Sequence, residues 1–336
     1  MASAIPPPPP CRAELAHVTT AGRHLLRALR PVTLLGAAAA LGGCLAFAPG
    51  PKSTPRPALR PAVSAPLQQP EPSVASRELA QYYADLQKDL LIRGLLRTDG
   101  GGPDTPYDAE DLAKRFETLA FFDEYANGAD AGAGGLGRWE QPVQLVPVFA
   151  PSVSAAQRVL DRTRLEEFAA RLTRITGHPV SVGNSGNFTV IFAGLDDADF
   201  VEDRVRRLLP NLAATDLALF VTPPRKFYCF VIAGGPQRDP LNYSRGVALI
   251  RSEQPDLMRE SCIHEEIAQG LGMRNDSPRA RPSIFNDDDE FARLTSHDEK
   301  LLRILYDPRL RIGMSPDEAR PIVEGLAAEL MGDLAL

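Results

Sequence analysis

The order of hydrophobic patterns from residue 143 onward constrains the fold more than any other feature. Short apolar runs with the two-residue rhythm of strands alternate with longer stretches whose apolar residues recur every three or four positions, as in amphipathic helices. The predicted strands are residues 143–150, 188–193, 217–221, 227–233 and 246–252, and the predicted helices are 154–176, 196–209, 256–271 and 296–305. Strands separated by helices favour a mixed α/β (α+β) fold, with a twisted sheet and long backing helices.

A helical extension is predicted ahead of this pattern, in residues 77–137. Apolar residues at helical spacing predict two helices there, separated by a glycine-rich break at 99–103. Residues 126–137 are again rich in glycine and are expected to form a loop. The remaining folded part is predicted to comprise an α/β domain over 138–315 and a C-terminal helix over 316–336.

The first 43 residues have the order of an export signal. Arginines precede an uncharged apolar stretch, which ends in Leu41-Gly42-Gly43-Cys44. These four residues resemble the bacterial lipobox, which implies that Cys44 is lipidated and becomes the mature N-terminus. The unusual length before the apolar stretch suggests a start codon downstream of Met1. An uncleaved membrane anchor is the alternative, although the apolar stretch is short for a bilayer and rich in alanine and glycine.

Residues 44–76 are predicted to be a disordered tether. Prolines crowd this stretch, which has almost no apolar periodicity. A tether after a lipidated cysteine would hold a soluble domain away from a membrane. Leu45 is not the aspartate associated with inner-membrane retention. We therefore expect a periplasm-facing lipoprotein of the bacterial envelope, with the outer membrane preferred.

The net charge argues against a nucleic-acid partner. The whole chain carries −6, and residues 1–43 contribute four arginines against one glutamate, so removing them changes the charge from −6 to −9. Nucleic-acid-binding domains usually carry a basic patch or stripe.

Residues 265–276 contain the pattern that indicates a functional site. They are similar to the metzincin signature, in which three histidines hold zinc and a glutamate beside the first is the general base. Aligned on the turn glycine Gly272, Glu266 takes the general-base position and Asp276 the trailing acid. The three metal-ligand positions are then Glu265, Gln269 and Asn275. Residues four apart share one face of a helix, so positions 265 and 269 would project together.

A second motif follows downstream. Ser283-Ile284-Phe285-Asn286 resembles the turn that carries a methionine beneath the metal in metzincins, with Phe285 in its place. Together with Arg138-Trp139, Cys262 and 306–310, residues 77–315 resemble the bacterial domain of unknown function 2927 family. The resemblance implies a metzincin-like fold with a degenerate site, and it carries no established activity.

Two simpler interpretations of the helix remain open. The polar residues at 265, 266 and 269 are compatible with the solvated face of an amphipathic helix, with Gly272 as its C-cap. A different frame that starts at His264 places Ala268 at the second ligand position, so we expect this histidine either to support the site from behind the ligand positions or to lie on the surface.

The residues at the ligand positions supply only oxygen atoms that coordinate metals. Zinc prefers nitrogen and sulfur donors, so we expect no tightly held metal. A hard divalent cation is the first alternative and zinc the second. Without a metal-activated water, Glu266 has nothing to deprotonate.

We therefore predict a non-catalytic protein that binds a peptide or an envelope protein, or acts as an envelope scaffold. The alternative is an active peptidase with an atypical metal site and Glu266 as base. A third interpretation is a purely structural role in an envelope complex.

Cys229 and Cys262 are the cysteines that remain if Cys44 carries lipid and the signal is removed. An oxidising compartment favours a disulfide between them. Such a bridge would tie the predicted strand 227–233 to the site helix. Two buried free thiols are the alternative.

Overall fold

The computed structural model describes residues 70–123, 134–286 and 288–332. The helices in these ranges are α1 Val74–Ile92, α2 Ala109–Phe121, α3 Ala155–Thr176, α4 Ala198–Leu208, α5 Ala214–Val221, α6 Asp256–Leu271, α7 Ser296–Leu305 and α8 Pro316–Met331. The strands are β1 Arg138–Trp139, β2 Val143–Phe149, β3 Val180–Val182, β4 Phe188–Ala193, β5 Cys229–Gly234, β6 Asn242–Tyr243 and β7 Arg245–Arg251. The predicted signal, Cys44 and the tether up to residue 69 lie outside the described residues.

Five of the strands form one mixed sheet in the order β3-β2-β4-β7-β5. All neighbours pair in parallel except β5, which runs antiparallel to β7 at the edge. The short strands β1 and β6 pair in parallel as a separate ribbon. The predicted mixed α/β fold is confirmed.

The central strand β4 separates two hydrophobic cores. Phe188, Val190 and Phe192 face the larger core, which contains buried residues of α3, α6 and α7. Ile191 and Ala193 face a smaller core with α4 and α5. Because successive side chains of a strand point to opposite faces, β4 is buried on both sides.

Local capping sets where the helices begin and end. The Ser154 side chain accepts a hydrogen bond from the Gln157 amide at the start of α3, and Gly177 ends that helix with a φ of 69°. Thr295 and Asp298 form a capping box at the start of α7. The capping box explains why the helix predicted at 296–305 begins where α7 begins.

The helices outside the predicted α/β domain pack on it. Helix α2 lies against α8 and contributes Phe116 to the larger core. Helix α1 forms a smaller cluster, in which Tyr83 and Leu90 pack with Met258 near the start of α6. None of the helices in the described ranges is long and apolar enough to span a bilayer.

The predicted strand at 217–221 is wrong, because these residues belong to α5. Leu217 and Phe220 are buried on one side, at the three-residue spacing of a helix, and pack into the smaller core. Three alanines in and before this segment favour a helix over a strand. The strands β1, β3 and β6 were not predicted, since two or three residues are too short to show a rhythm.

Candidate functional site

Helix α6 carries the predicted site residues and is largely buried. Eleven of its sixteen residues are buried, which is more than the apolar stripe of a surface helix. A Cβ atom at Gly270 would lie 2.5 Å from the Phe188 ring, so glycine lets α6 pack directly on β4. Glu266 and Gln269 are only 4% and 8% exposed, which a fully solvated polar face does not explain.

Gly272 ends α6 and turns the chain. Its φ is 132°, and a Cβ atom there would lie 2.5 Å from the carbonyl oxygen of Gly137, so the position requires glycine. Beyond the turn, Asp276 returns towards the helix. The Gln269 Nε2 atom donates a hydrogen bond to Asp276 Oδ1 at 3.0 Å.

A polar cleft of about 230 Å³ lies beside α6. Its wall is formed by residues 226–229, at the beginning of β5, and its floor by polar residues of α6 and the turn after it. The opposite rim comes from the loop before α7. The floor residues are Ser261, Glu265, Glu266, Gln269 and Asp276, and the rim residues are Ile284, Asn286, Asp289 and Phe291.

The structure brings three of the four chemically predicted positions into the cleft. Glu265, Glu266 and Gln269 line it, whereas Asn275 lies against the end of α2. The Asn275 side chain donates to the Thr118 carbonyl oxygen at 3.1 Å, and its backbone N–H donates to that of Leu119 at 3.2 Å. Asp276, which the sequence predicted only as the trailing acid, lines the cleft in place of Asn275.

The turn at 283–286 is fixed by α7. Asp298 accepts hydrogen bonds from the Ser283 hydroxyl at 2.6 Å and from the Ile284 amide at 3.0 Å. Phe285 is fully buried in the larger core, while its neighbours Ile284 and Asn286 line the cleft. The predicted turn residue therefore packs underneath a rim that its neighbours form.

A disulfide joins the wall of the cleft to its floor helix. Cys229 at the start of β5 is bonded to Cys262 of α6, with the two Cα atoms 5.8 Å apart. The predicted pairing is confirmed. The Gln254 side chain adds a hydrogen bond to the Cys262 sulfur at 3.2 Å and one to the Tyr228 carbonyl oxygen at 2.9 Å. The wall is thus held to α6 by a covalent bond and two polar contacts.

The atoms available to a metal in the cleft are oxygens. The Cys229 sulfur and one carboxylate oxygen from each of Glu265 and Glu266 lie within 4.8 Å of one another. The sulfur is part of the disulfide, so it is not available as a thiolate ligand. A donor set of carboxylates and amides does not fit zinc, and it matches a hard cation more closely.

His264 lies in the core and not at the cleft. Its ring stacks on Phe168 with centroids 4.0 Å apart, and its Nδ1 atom accepts a hydrogen bond from the Leu294 amide at 3.2 Å. Burial, with Arg171 and Arg293 nearby, lowers the pKa of His264 to about 3, so the ring is neutral at physiological pH. It is a packing residue rather than a ligand or a surface group.

The sequence did not predict the other residues that shape the cleft. Tyr228 lies on the wall, where burial, with Asp289 nearby, raises its pKa to about 12, so its hydroxyl stays protonated at neutral pH. Asp289 and Phe291 lie on the rim. The run of acidic residues at 287–290 was the available signal, but a charge run alone does not indicate where it folds.

Comparison with known proteins identified one family. A model described as a protein of unknown function, DUF2927, matches residues 109–325. The match covers more than half of the chain, begins at the first residue of α2 and ends within α8, and confirms the family resemblance seen in the sequence. No curated protein and no solved structure matches the chain significantly.

Proposed function

The chain belongs to the DUF2927 family of proteins of unknown function, and on that premise we propose that it binds an extended peptide in the cleft beside α6 without cleaving it. The peptide would belong to an envelope protein or be free in the periplasm. The observation that carries the proposal is the position of β5, an edge strand that begins at the wall of this cleft.

Strand β5 offers a surface to which a peptide can add. In the sheet formed by the described residues it pairs with β7 alone, which places it at the edge. An extended peptide can pair with such an edge through main-chain hydrogen bonds, while pockets for its side chains provide specificity. Because Cys229 both begins β5 and lines the cleft, a peptide on this edge would lie next to the cleft.

The charge of the cleft favours a basic peptide. Four carboxylate side chains line it, from Glu265, Glu266, Asp276 and Asp289, against the single ammonium group of Lys226. Such an excess attracts cationic side chains and excludes acidic ones. The lining residues Phe227 and Phe291 add apolar surface for a neighbouring side chain.

We interpret the site as a degenerate metzincin-like one. The glutamate at the general-base position is kept, whereas oxygen-bearing side chains stand at the ligand positions. A metallopeptidase needs a metal both to polarise the scissile carbonyl and to activate water. Without that metal, Glu266 alone cannot supply either role, and binding is the function that the remaining cleft supports.

Fluorescence polarisation with labelled peptides tests the proposal. A lysine-containing peptide should bind the full chain about tenfold or more tightly than the same peptide with glutamates, at low salt. N-methylation of alternate backbone amides should weaken binding, because it removes strand-pairing hydrogen bonds. Glu265→Gln should reduce affinity for the basic peptide, while Glu166→Gln on the exposed side of α3 should not. Equal binding of basic and acidic peptides, or no effect of N-methylation, would refute it.

A metal-dependent peptidase is the second candidate, favoured by the closeness of the Glu265 and Glu266 carboxylates. Elemental analysis and a broad peptidase assay separate the two. We expect no turnover in the natural chain or in Glu266→Gln, and capture of the peptide should be largely retained in that variant, which keeps the other three carboxylates of the cleft. Stoichiometric metal, with cleavage that is lost on Glu266→Gln, would replace the binding proposal.

We also propose a lipid anchor at Cys44 and a periplasm-facing place in the bacterial envelope, preferably at the outer membrane. The basic and apolar stretches before Leu41-Gly42-Gly43-Cys44 support it. Cys44→Ala should release the protein into a soluble fraction or stall its processing. Unchanged membrane association and unchanged size would contradict the anchor.

A further inference from the structure

A second cavity, of about 530 Å³, lies where strands of the sheet end. Its lining comes from the segment after β2, the segment after β7, the first turns of α3 and α6, and one side of α1. We call it the strand-end cavity. It shares no lining residue with the cleft beside α6.

The topology of the sheet makes this end a natural place for a ligand. Strand β2 leads through α3 to β3 on one side, and the adjacent strand β4 leads through α4 and α5 to the strands on its other side. Helices α3 and α4 also lie on opposite faces of the sheet. In open α/β sheets, ligands bind outside the carboxyl ends of parallel strands at the point where the connections diverge in this way.

Glu253, just after β7, is the most constrained side chain of the cavity. Its Oε1 atom accepts hydrogen bonds from the Leu195 amide at 2.6 Å and from the Ser76 hydroxyl at 3.0 Å. A Cβ atom at Gly194 would lie 2.8 Å from this oxygen, so a glycine at the end of β4 leaves room for the carboxylate. The side chain is thus held from the segment after β4 and from α1, by one of its two oxygens.

The other oxygen of Glu253 is left without a partner. The residue is 8% exposed, and its Oε2 atom is buried with no hydrogen-bond partner among the described residues. The nearby guanidinium of Arg259 pairs with the buried carboxylate of Asp161 at 3.2 Å and makes no hydrogen bond to Glu253 Oε2. A buried carboxylate oxygen without a donor is costly and calls for a specific partner.

Two neighbouring groups on the cavity show the same deficiency. The Gln254 Oε1 and Arg259 Nε atoms are buried and have no partner within the described part of the chain. Three buried polar atoms of the lining residues, two acceptors and one donor, are therefore unsatisfied. A ligand that satisfies these three atoms must provide at least two hydrogen-bond donors and one acceptor.

We propose that the strand-end cavity binds a small polar ligand through a primary ammonium group, which donates to Glu253 Oε2. An ammonium group carries three donors and a positive charge, so it supplies the missing hydrogen bond as a strong, charge-assisted one. Gln254 Oε1 takes a second donor, and an oxygen elsewhere in the ligand accepts from Arg259 Nε. A free amino acid and an amino sugar both have this chemistry, and the cavity volume is in the range of small-molecule sites.

Thermal unfolding of the full chain with named probes tests the proposal. The probes are an equimolar mixture of the twenty amino acids and, separately, glucosamine, each compared with its N-acetylated form. We expect one of the two amines to raise Tm by several degrees at millimolar concentration, and neither acetylated form to do so. The amine that acts identifies the source. No shift with either amine, or an equal shift with an acetylated form, overturns the proposal.

Glu253→Gln provides the sharpest variant. The amide keeps an oxygen for Leu195 and Ser76 but replaces the charged acceptor, so the affinity for the amine should fall at least about tenfold. Because the change removes a buried charge, Tm without ligand should be unchanged or higher. The matched control Glu166→Gln and the cleft variant Glu265→Gln should leave amine binding intact, which separates this site from peptide binding. Retained amine affinity in Glu253→Gln would overturn the assignment.

A second variant covers a failure of Glu253→Gln to fold. Ser76→Ala on α1 removes the hydroxyl that fixes Glu253 Oε1 and leaves the carboxylate in place. It should weaken amine binding by a measurable factor of about two to ten. Unchanged affinity in this variant would contradict the role of a positioned Glu253.

Discussion

Removing the disulfide between Cys229 and Cys262 should destabilise the protein by an amount that depends on the length of the loop it closes. The two cysteines are 33 residues apart. In the chain-entropy model, a cross-link that closes a loop of this length lowers the free energy of the folded state relative to the unfolded one by about 4 kcal/mol at 25 °C. The Cys229→Ala/Cys262→Ala double variant should lose most of this stabilisation. Alanine is compatible with the backbone of β5 and α6, so the loss reports the missing cross-link.

The single tryptophan of the chain is a suitable reporter for this experiment. Trp139 is 1% exposed, and its indole N–H donates to the Gly270 carbonyl oxygen of α6 at 2.8 Å, so its fluorescence follows the packing of that helix. A loss of 4 kcal/mol corresponds to a drop in Tm of roughly 8 to 16 °C for a domain of this size. Counting thiols in the unreduced, denatured natural chain provides the control, since Cys229 and Cys262 should both be unreactive.

The same variant tests the link between stability and the cleft. Because the bridge ties the wall to the floor, the double variant should bind the basic peptide more weakly even where it is fully folded. A loss of stability below about 1 kcal/mol, with unchanged dependence on denaturant, would refute the argument that the bridge constrains the unfolded chain. Full peptide affinity in the folded variant would show that the wall is held by its other contacts.

Two further results are expected. The pKa of His264 is about 3 in the folded state and near 6.5 in the unfolded chain, so the unfolded chain binds a proton first as the pH falls. The free energy of unfolding should therefore decrease between pH 6.5 and pH 3, by up to about 1.4 kcal/mol per pH unit. Urea unfolding of His264→Gln should lack this pH dependence, and an unchanged pH slope in the variant would exclude the role of His264. Two triple variants combine Glu265→His and Gln269→His with either Asp276→His or Asn275→His. The variant with Asp276→His should bind zinc more tightly in a calorimetric titration, because Asp276 lines the cleft and Asn275 does not. The reverse order of affinities would show that the turn rearranges.

The helices could be predicted from the sequence better than the order of the strands. The bounds predicted for α6 and α7 match the structure because capping and glycine signals are local. The order of the sheet is not local: β7 pairs with β4 although two strands and two helices lie between them in the chain. The antiparallel edge position of β5, on which the proposed peptide site depends, therefore emerged only from the structure.

The spacing of the α6 motif indicated a site, but it could not decide which side chain after the turn would face it. Gly272 reverses the chain, and from there Asn275 and Asp276 are both within reach of the helix. The carbonyl groups of Thr118 and Leu119 in α2 accept hydrogen bonds from the side chain and the backbone N–H of Asn275. Asp276 instead accepts a hydrogen bond from Gln269. Helix α2 lies outside the motif, and Thr118 is 157 residues before Asn275, so the spacing of the motif cannot predict this contact. A position aligned with a metal ligand thus becomes a packing residue when a more distant helix supplies better hydrogen-bond partners.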